Sequence, residues 1–360
     1  MSARHQPRIL YVAYPMLPVS DESCGGAEQM LWTLEAELAG RGYGTVVAAC
    51  ERSRVAGKLF ATGVTPEEPD GFERREAEHA AKVLGLLAQE RFDLVHDKSG
   101  SFWRHAAEID VPVLATLHLP RCLYESGFGP LPPNVHFNCV SATQLQEFSD
   151  MPGMLGVVKN GIRLEYFPPP RSRREPYLLW LGRICEEKGT HVAIEVARRA
   201  GRTLVIAGEV YPFSYHRAYF EREIRPHLDG LRPTVHYVGP PRFSEKLKLL
   251  RRASALLLPS LVDETSSLAA MEAMVCGTPV VAFPRGAIPE IVEDGVTGLL
   301  VNSAEEMAEA IGRVGKIDPR AGRARVECRF TARRMADEYE RLYEMVTGKS
   351  VGRRETLAAA

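Results

Sequence analysis

The sequence predicts an α/β protein built from two doubly wound domains, and three observations carry that expectation. Short apolar runs of strand character alternate with amphipathic helical stretches along most of the chain. The alternation opens as strand, loop, helix, strand over residues 8–50 and starts afresh at Tyr177. Between the two series lies a Pro- and Arg-dense run, 167–176 (FPPPRSRREP), which reads as a linker. At 360 residues the chain is long enough for two ample cores.

The elements follow in order. In the first domain, strands are expected at 8–13 (RILYVA), 45–50, 92–96, 112–117 and 135–141, with helices at about 28–39, 74–89 and from Ala142. In the second, strands are expected at 177–181, 203–208, 235–238, 255–258 and 280–283, with helices at 189–200, 217–228, 244–252 and 268–276. Near the carboxyl end, 331–346 is a charged amphipathic helix with Met335, Tyr339, Leu342, Tyr343 and Val346 on one face. The expected division is 1–166, a linker at 167–176, 177–328, a last helix at 329–348 and a disordered tail at 349–360.

Composition narrows the class. With 45% hydrophobic and 25% charged residues, the chain has the make-up of a soluble globular protein. No segment approaches the ~18 apolar residues of a membrane span, and the amino terminus enters a strand without a signal-peptide core. The seven cysteines are scattered and show no Cys-x-x-Cys, the pattern of reduced intracellular thiols without a zinc framework, so a cytoplasmic location is expected. Residues 1–160 hold 14 basic against 20 acidic side chains, net −6; residues 161–360 hold 31 against 26, net +5. The basic half suits an anionic ligand, whereas the acidic half argues against a strong anchor on anionic lipid there. No basic patch interleaved with aromatics suggests nucleic acid. Peripheral membrane contact and the oligomeric state stay open.

The richest stretch runs from Pro259 to Asn302. The apolar run Ala255–Leu258 stops at Pro259-Ser260, a loop carries Asp263 and Glu264, and Thr265, Ser266 and Ser267 can each cap a helix starting at Leu268. Backbone N–H groups at such a start form a ready phosphate site. Glu264 and Glu272 stand eight residues apart across it. A carboxylate beside phosphate is repulsive unless it grips something else, and sugar hydroxyls answer that need. The expected ligand is a nucleotide sugar. At the end of the second domain's first strand, Arg183 and Lys188 are five residues apart across a turn, so two cations can converge on one diphosphate.

These residues carry a resemblance. Glu264, seven residues, then Glu272-Ala273-Met274-Val275-Cys276-Gly277-Thr278-Pro279-Val280-Val281-Ala282 resembles the signature of the retaining glycosyltransferases of family four, which share the two-domain GT-B fold. The match continues through Gly286-Ala287-Ile288-Pro289-Glu290 and Gly295-Val296-Thr297-Gly298. Thr265-Ser266-Ser267 stands where the family often has Pro-Phe-Gly.

The resemblance implies two Rossmann-like domains facing a cleft, the first handling the acceptor, the second the nucleotide sugar, and the last helix crossing back onto the first. It makes Arg183 and Lys188 the pyrophosphate clamp, with N–H groups near Ser266, Ser267 and Leu268. Glu264 is then placed on the donor sugar and Glu272 on ribose hydroxyls. Gly25-Gly26 is similar to the family's loop under the donor diphosphate, and His118, at a strand end, to its histidine facing the donor sugar. His96, also at a strand end, reads as a structural histidine.

The activity implied is transfer of a hexose from a UDP- or GDP-sugar to an unidentified acceptor. With no Asp-x-Asp triplet, neither metal nor other cofactor is expected. A non-catalytic sugar-nucleotide binder, an epimerase and a phosphorylase-like transferase stay open as alternatives.

Overall fold

The computed structural model describes residues 7–23, 25–64, 71–124, 127–170, 174–211, 213–228, 230 and 234–349. Its first sheet holds seven parallel strands: β1 (Arg8–Val12), β2 (Gly44–Cys50), β3 (Lys58–Gly63), β4 (Leu94–Asp97), β5 (Val113–Thr116), β6 (Val135–Cys139) and β7 (Met154–Val157). Their order is β3-β2-β1-β4-β5-β6-β7. The second sheet, also parallel, comprises β8 (Tyr177–Leu181), β9 (Thr203–Ala207), β10 (Val235–Tyr237), β11 (Ala255–Leu258), β12 (Val280–Ala282) and β13 (Gly298–Leu300), in the order β10-β9-β8-β11-β12-β13. Strand order therefore reverses beside β1 in one sheet and beside β8 in the other. Loops leaving the carboxyl ends of strands at such a reversal diverge to opposite faces and leave a crevice for ligand.

The central strands are buried apart from some end residues because helices cover both faces, which is why they read as unbroken apolar runs. The edges explain what the sequence conceals. Strand β3 is mostly exposed and β7 is half-buried with Gly156 inside it, so neither shows an apolar run. The expected 217–228 helix is a correction. Helix begins earlier, at Ser214–Tyr219, widens to a π turn at Phe220–Ile224 and ends as a 3-10 turn, Arg225–His227, where Pro226 cannot donate to the ladder.

The last helix, Ala332–Thr347, crosses back onto the first sheet. Met335, Tyr339, Leu342 and Tyr343 are buried among Ile9, Tyr11 and Leu114. Such side chains contribute about 1.5–3 kcal/mol each on burial. Where the chain passes between domains, Ile162 pairs with Thr331, fixing the crossing point. Of the 167–176 linker, 171–173 lie outside the described residues, as do 350–360 of the expected tail; Lys349 pairs with Asp93 at 2.6 Å.

Candidate functional site

The second domain builds one wall of the cleft from the loops that follow β8 and β11. Gly189, at φ +65°, ends the first loop where any side chain would run into the Pro259 carbonyl, so the two loops touch. The Trp180 indole donates to the Lys188 carbonyl at 3.3 Å, holding the β8 loop in place. Lys188 Nζ lies 2.6 Å from both Glu264 carboxylate oxygens, and the Ser260 hydroxyl donates to one of them. Arg183 reaches Glu187 at 3.3 Å and lies over the Tyr211 ring at 5.5 Å. Its Nε is enclosed without a hydrogen-bond partner among the described residues.

The helix Leu268–Val275 starts beside this loop. Ser267 caps it, accepting from Ala270 N at 3.3 Å. Thr265 does not: its hydroxyl instead donates to the His118 carbonyl at 2.8 Å, across the cleft. Ser266 is half-buried at the helix start. Glu272 is buried and paired at 2.6 Å with Lys246, a cation 26 residues earlier in sequence. The Asp263-Glu264 loop is braced from the motif downstream: Gly286 N donates to Asp263 and Ala287 N to the Glu264 carbonyl.

The first domain supplies the facing wall. Gly25 precedes the helix Gly26–Gly40 and gives it no side-chain cap, while the Glu28 carboxyl turns back to accept from its own backbone N–H. A Cβ on Gly26 would stand 3.7 Å from a Leu268 methyl, so the two helix starts meet across the cleft. Gly25 leaves room for the carboxyl of Glu28, which folds back over it. Glu28 is buried, and burial pushes its carboxyl up to about 7, with Arg183 pulling weakly the other way. Burial likewise raises Tyr14 to about 12, with Glu28 adding to the rise.

At the end of β5, His118 Nε2 is enclosed without a partner among the described residues. Burial, then the nearby Lys98 cation, push its imidazole well below the ordinary range, so it is neutral at pH 7. His96 is a core group: its nitrogens meet the Tyr343 hydroxyl at 2.7 Å and the Thr116 hydroxyl at 2.8 Å. Asp97 braces its own loop through Ser99 and Trp103.

A second bond set spans the cleft. Glu290 accepts from the Thr143 backbone and hydroxyl at 2.8 and 2.9 Å and pairs with Lys159 at 2.8 Å. Burial alone would raise its carboxyl, yet those bonds hold it below its ordinary value. No metal was expected from the sequence. Among the described residues, Cys185, Glu187 and His216 form one group whose ligand atoms come within 4.8 Å of one another.

Sequence reasoning missed Glu28, Lys246, Ser260 and the Glu290–Thr143–Lys159 set. Glu28 was signalled by its place just after the Gly25-Gly26 pair, and Glu290 by its place in the downstream motif.

Two Rossmann-like domains, each ending a strand-order reversal at a shared cleft, define the GT-B class of fold. Residues 24–166 match the family model described as Glycosyltransferase Family 4, and residues 175–316 match that of Glycosyl transferases group 1. The chain belongs to this group of GT-B glycosyltransferases. A glycogen synthase of Mycobacterium tuberculosis is 33% identical over 249 residues, covering 61% of this chain; the chain spans only 58% of that relative. Sucrose-phosphate synthase from Thermosynechococcus elongatus superposes with a TM-score of 0.80 at 20% identity, over 95% of this chain and 100% of that one. Anabaena HepE, crystallised in complex with UDP-glucose, gives a TM-score of 0.75 at 17% identity, over 94% and 99%. At those identities the solved structures share the fold. Among the described residues no helix is long and apolar enough to cross a membrane.

Proposed function

We propose that this chain is a retaining hexosyltransferase, transferring sugar from a nucleoside-diphosphate hexose to an acceptor. The observation that carries the reading is the meeting of Arg183, Lys188 and two helix starts, Gly26 and Leu268, at one cleft. Cations and helix N-termini together favour a diphosphate. The UDP-glucose bound by Anabaena HepE supports this donor class. The scattered thiols, without a Cys-x-x-Cys, support a cytoplasmic location for the reaction.

Arg183 and Lys188 hold the leaving diphosphate and offset its charge as the glycosidic bond breaks. That is the task a magnesium ion performs in other phosphate sites, so added magnesium leaves turnover unchanged. Lys188 sits between Glu264 and the diphosphate, cancelling the repulsion between two anions. Glu264, held by Lys188 and Ser260, accepts from the donor sugar's hydroxyls. Glu272 accepts from ribose, its charge balanced by Lys246. His118 donates to the sugar from the first domain, which also binds the acceptor.

The test is calorimetry with UDP, GDP and their hexose derivatives on wild type, Glu264→Ala and Glu272→Ala, followed by product analysis. Glu272→Ala is expected to weaken free diphosphate and intact donor alike, and Glu264→Ala only the intact donor. Equal losses for both variants with both ligands refute the division of roles. A chain that binds donor but neither transfers nor hydrolyses it is not an enzyme of this class.

A further inference from the structure

Behind the proposed clamp lies an imidazole with nothing to bond. His216, on the helix that follows β9, is 1% exposed, and neither ring nitrogen has a hydrogen-bond partner among the described residues. Rings wall it in: Tyr215 at 4.3 Å, Phe213 at 5.5 Å and Tyr211 at 6.0 Å between centroids. A buried donor or acceptor left unmet is costly, and a native structure that keeps one calls for an explanation, an ion or water among them.

Topology explains what stands opposite. β8 and β9 are neighbours, so the loops at their carboxyl ends run side by side, tied by a bond of 2.9 Å from Ile184 N to the Glu209 carbonyl. The β8 loop thereby brings fully buried Cys185 and the carboxylate of Glu187 to the imidazole.

Charge selects the ligand. The Arg183 guanidinium, 3.3 Å from Glu187, already offsets that carboxylate; a divalent cation that takes its place meets imidazole, carboxylate and thiolate, whose two negative charges balance its own. Sulfur, nitrogen and oxygen in one set suit a borderline-soft ion of the zinc class and not magnesium or calcium. We infer that Cys185, Glu187 and His216 form a three-ligand site for a zinc-class divalent ion. The ligand atoms lie within 4.8 Å of one another, against about 3.5 Å around a tetrahedral zinc. Glu187, with about a third of its side chain exposed, is the ligand with most room to adjust.

On binding, the Cys185 thiol releases its proton to solvent and the thiolate becomes the ligand. A Glu187 carboxylate engaged by the ion competes with its present partner Arg183, 3.3 Å away. The guanidinium is then free for a diphosphate, a consequence that rests on the function proposed above. A fourth position on the ion stays open to water.

The experiment is metal uptake by the full chain, read without any nucleotide, so its failure is distinct from failure of the sugar-transfer reading. Chain purified without chelator is analysed for metal, stripped, and refilled with cobalt. One zinc per chain and a near-ultraviolet thiolate-to-cobalt band are expected. Cys185→Ser is expected to lose the band. Glu187→Gln, a milder change at a side chain about a third exposed, is expected to keep the band with zinc affinity reduced at least ~10-fold. Circular dichroism confirms folding in each case. A folded wild type that takes up neither zinc nor cobalt overturns the inference. Uptake unchanged in both variants overturns it equally.

Discussion

The two walls of the cleft solve the same problem, polar groups withdrawn from water, in opposite ways. In the second domain three cations are paired: Arg183 with Glu187, Lys188 with Glu264 and Lys246 with Glu272. In the first domain burial moves the protons instead, so that Glu28 titrates only at about 7 and His118 stays neutral. Paired charges can be handed over to a charged ligand, because an anion replaces one partner of a pair. Neutralised groups suit a ligand without charge. On the function proposed above, the paired charges of the second domain are the ones a diphosphate would engage.

The largest expected effect breaks the first-domain side of this comparison. The folded pKa of Glu28, about 7, exceeds its ordinary 4.5, so the folded chain holds the proton more tightly than the unfolded one. Stability is therefore fully present below about 4.5 and falls as pH rises towards 7. At about 1.4 kcal/mol per unit, the loss reaches up to about 3 kcal/mol. Glu28→Gln keeps the shape and removes the titration. It is expected to exceed wild type in stability at pH 8 by up to that amount and to match it at pH 4, as read by chemical denaturation. Equal stability at both pH values would mean that Glu28 is no proton-holding group.

Next comes His118. His118→Asn is expected to lower transfer by at least ~100-fold, the low end for losing a positioned polar group at a reacting centre, with affinity for the free nucleoside diphosphate unchanged. A near wild-type rate would return His118 to the role that His96 plays, a histidine satisfied in the fold.

On the second-domain wall the expected loss is somewhat smaller. Arg183→Ala removes one charge-assisted bond, about 2 kcal/mol or about 30-fold in binding, shared equally by free diphosphate and intact donor. Titration calorimetry checks this. Weakening of the donor alone would assign Arg183 to the sugar.

Much of this was legible in the sequence where the physics is local. The strand end, capped helix and two glutamates between Pro259 and Asn302 form one continuous unit, and buried parallel strands announce themselves as apolar runs. The amphipathic face of 331–346 foretold the last helix in the same way, and the family resemblance its crossing onto the first domain. Partnerships over long separations were not legible. Lys188 meets Glu264 across 76 residues and His96 meets Tyr343 across 247, and neither periodicity nor spacing encodes such pairs. The same holds for the Cys185, Glu187 and His216 group, which only adjacent strand ends bring together. Edge strands such as β3 escaped because an exposed strand has no apolar run to show. Thr265 was read as one of three capping residues. Its hydroxyl points the other way because the first domain, invisible to local sequence, offers it the His118 carbonyl.

That bond gives the smallest expected effect, and it links the two walls directly. Thr265→Val keeps the side-chain shape and removes only the hydroxyl, so the cross-cleft bond of 2.8 Å is lost while the local backbone is left in place. A neutral bond of this kind is worth about 1 kcal/mol net, or about fivefold in the ratio of closed to open cleft. The second cross-cleft set, Glu290 with Thr143 and Lys159, survives the change and still closes the domains. Transfer should therefore fall by no more than about fivefold, with free diphosphate binding as in wild type, because the clamp lies wholly in the second domain. Glu290→Ala removes three contacts at once and should lower transfer further, again sparing diphosphate affinity. Steady-state rates and calorimetry on the two variants separate the cases. If Thr265→Val weakened diphosphate binding as strongly as it slowed transfer, the hydroxyl would be shaping the Leu268 helix start and not the closure of the cleft.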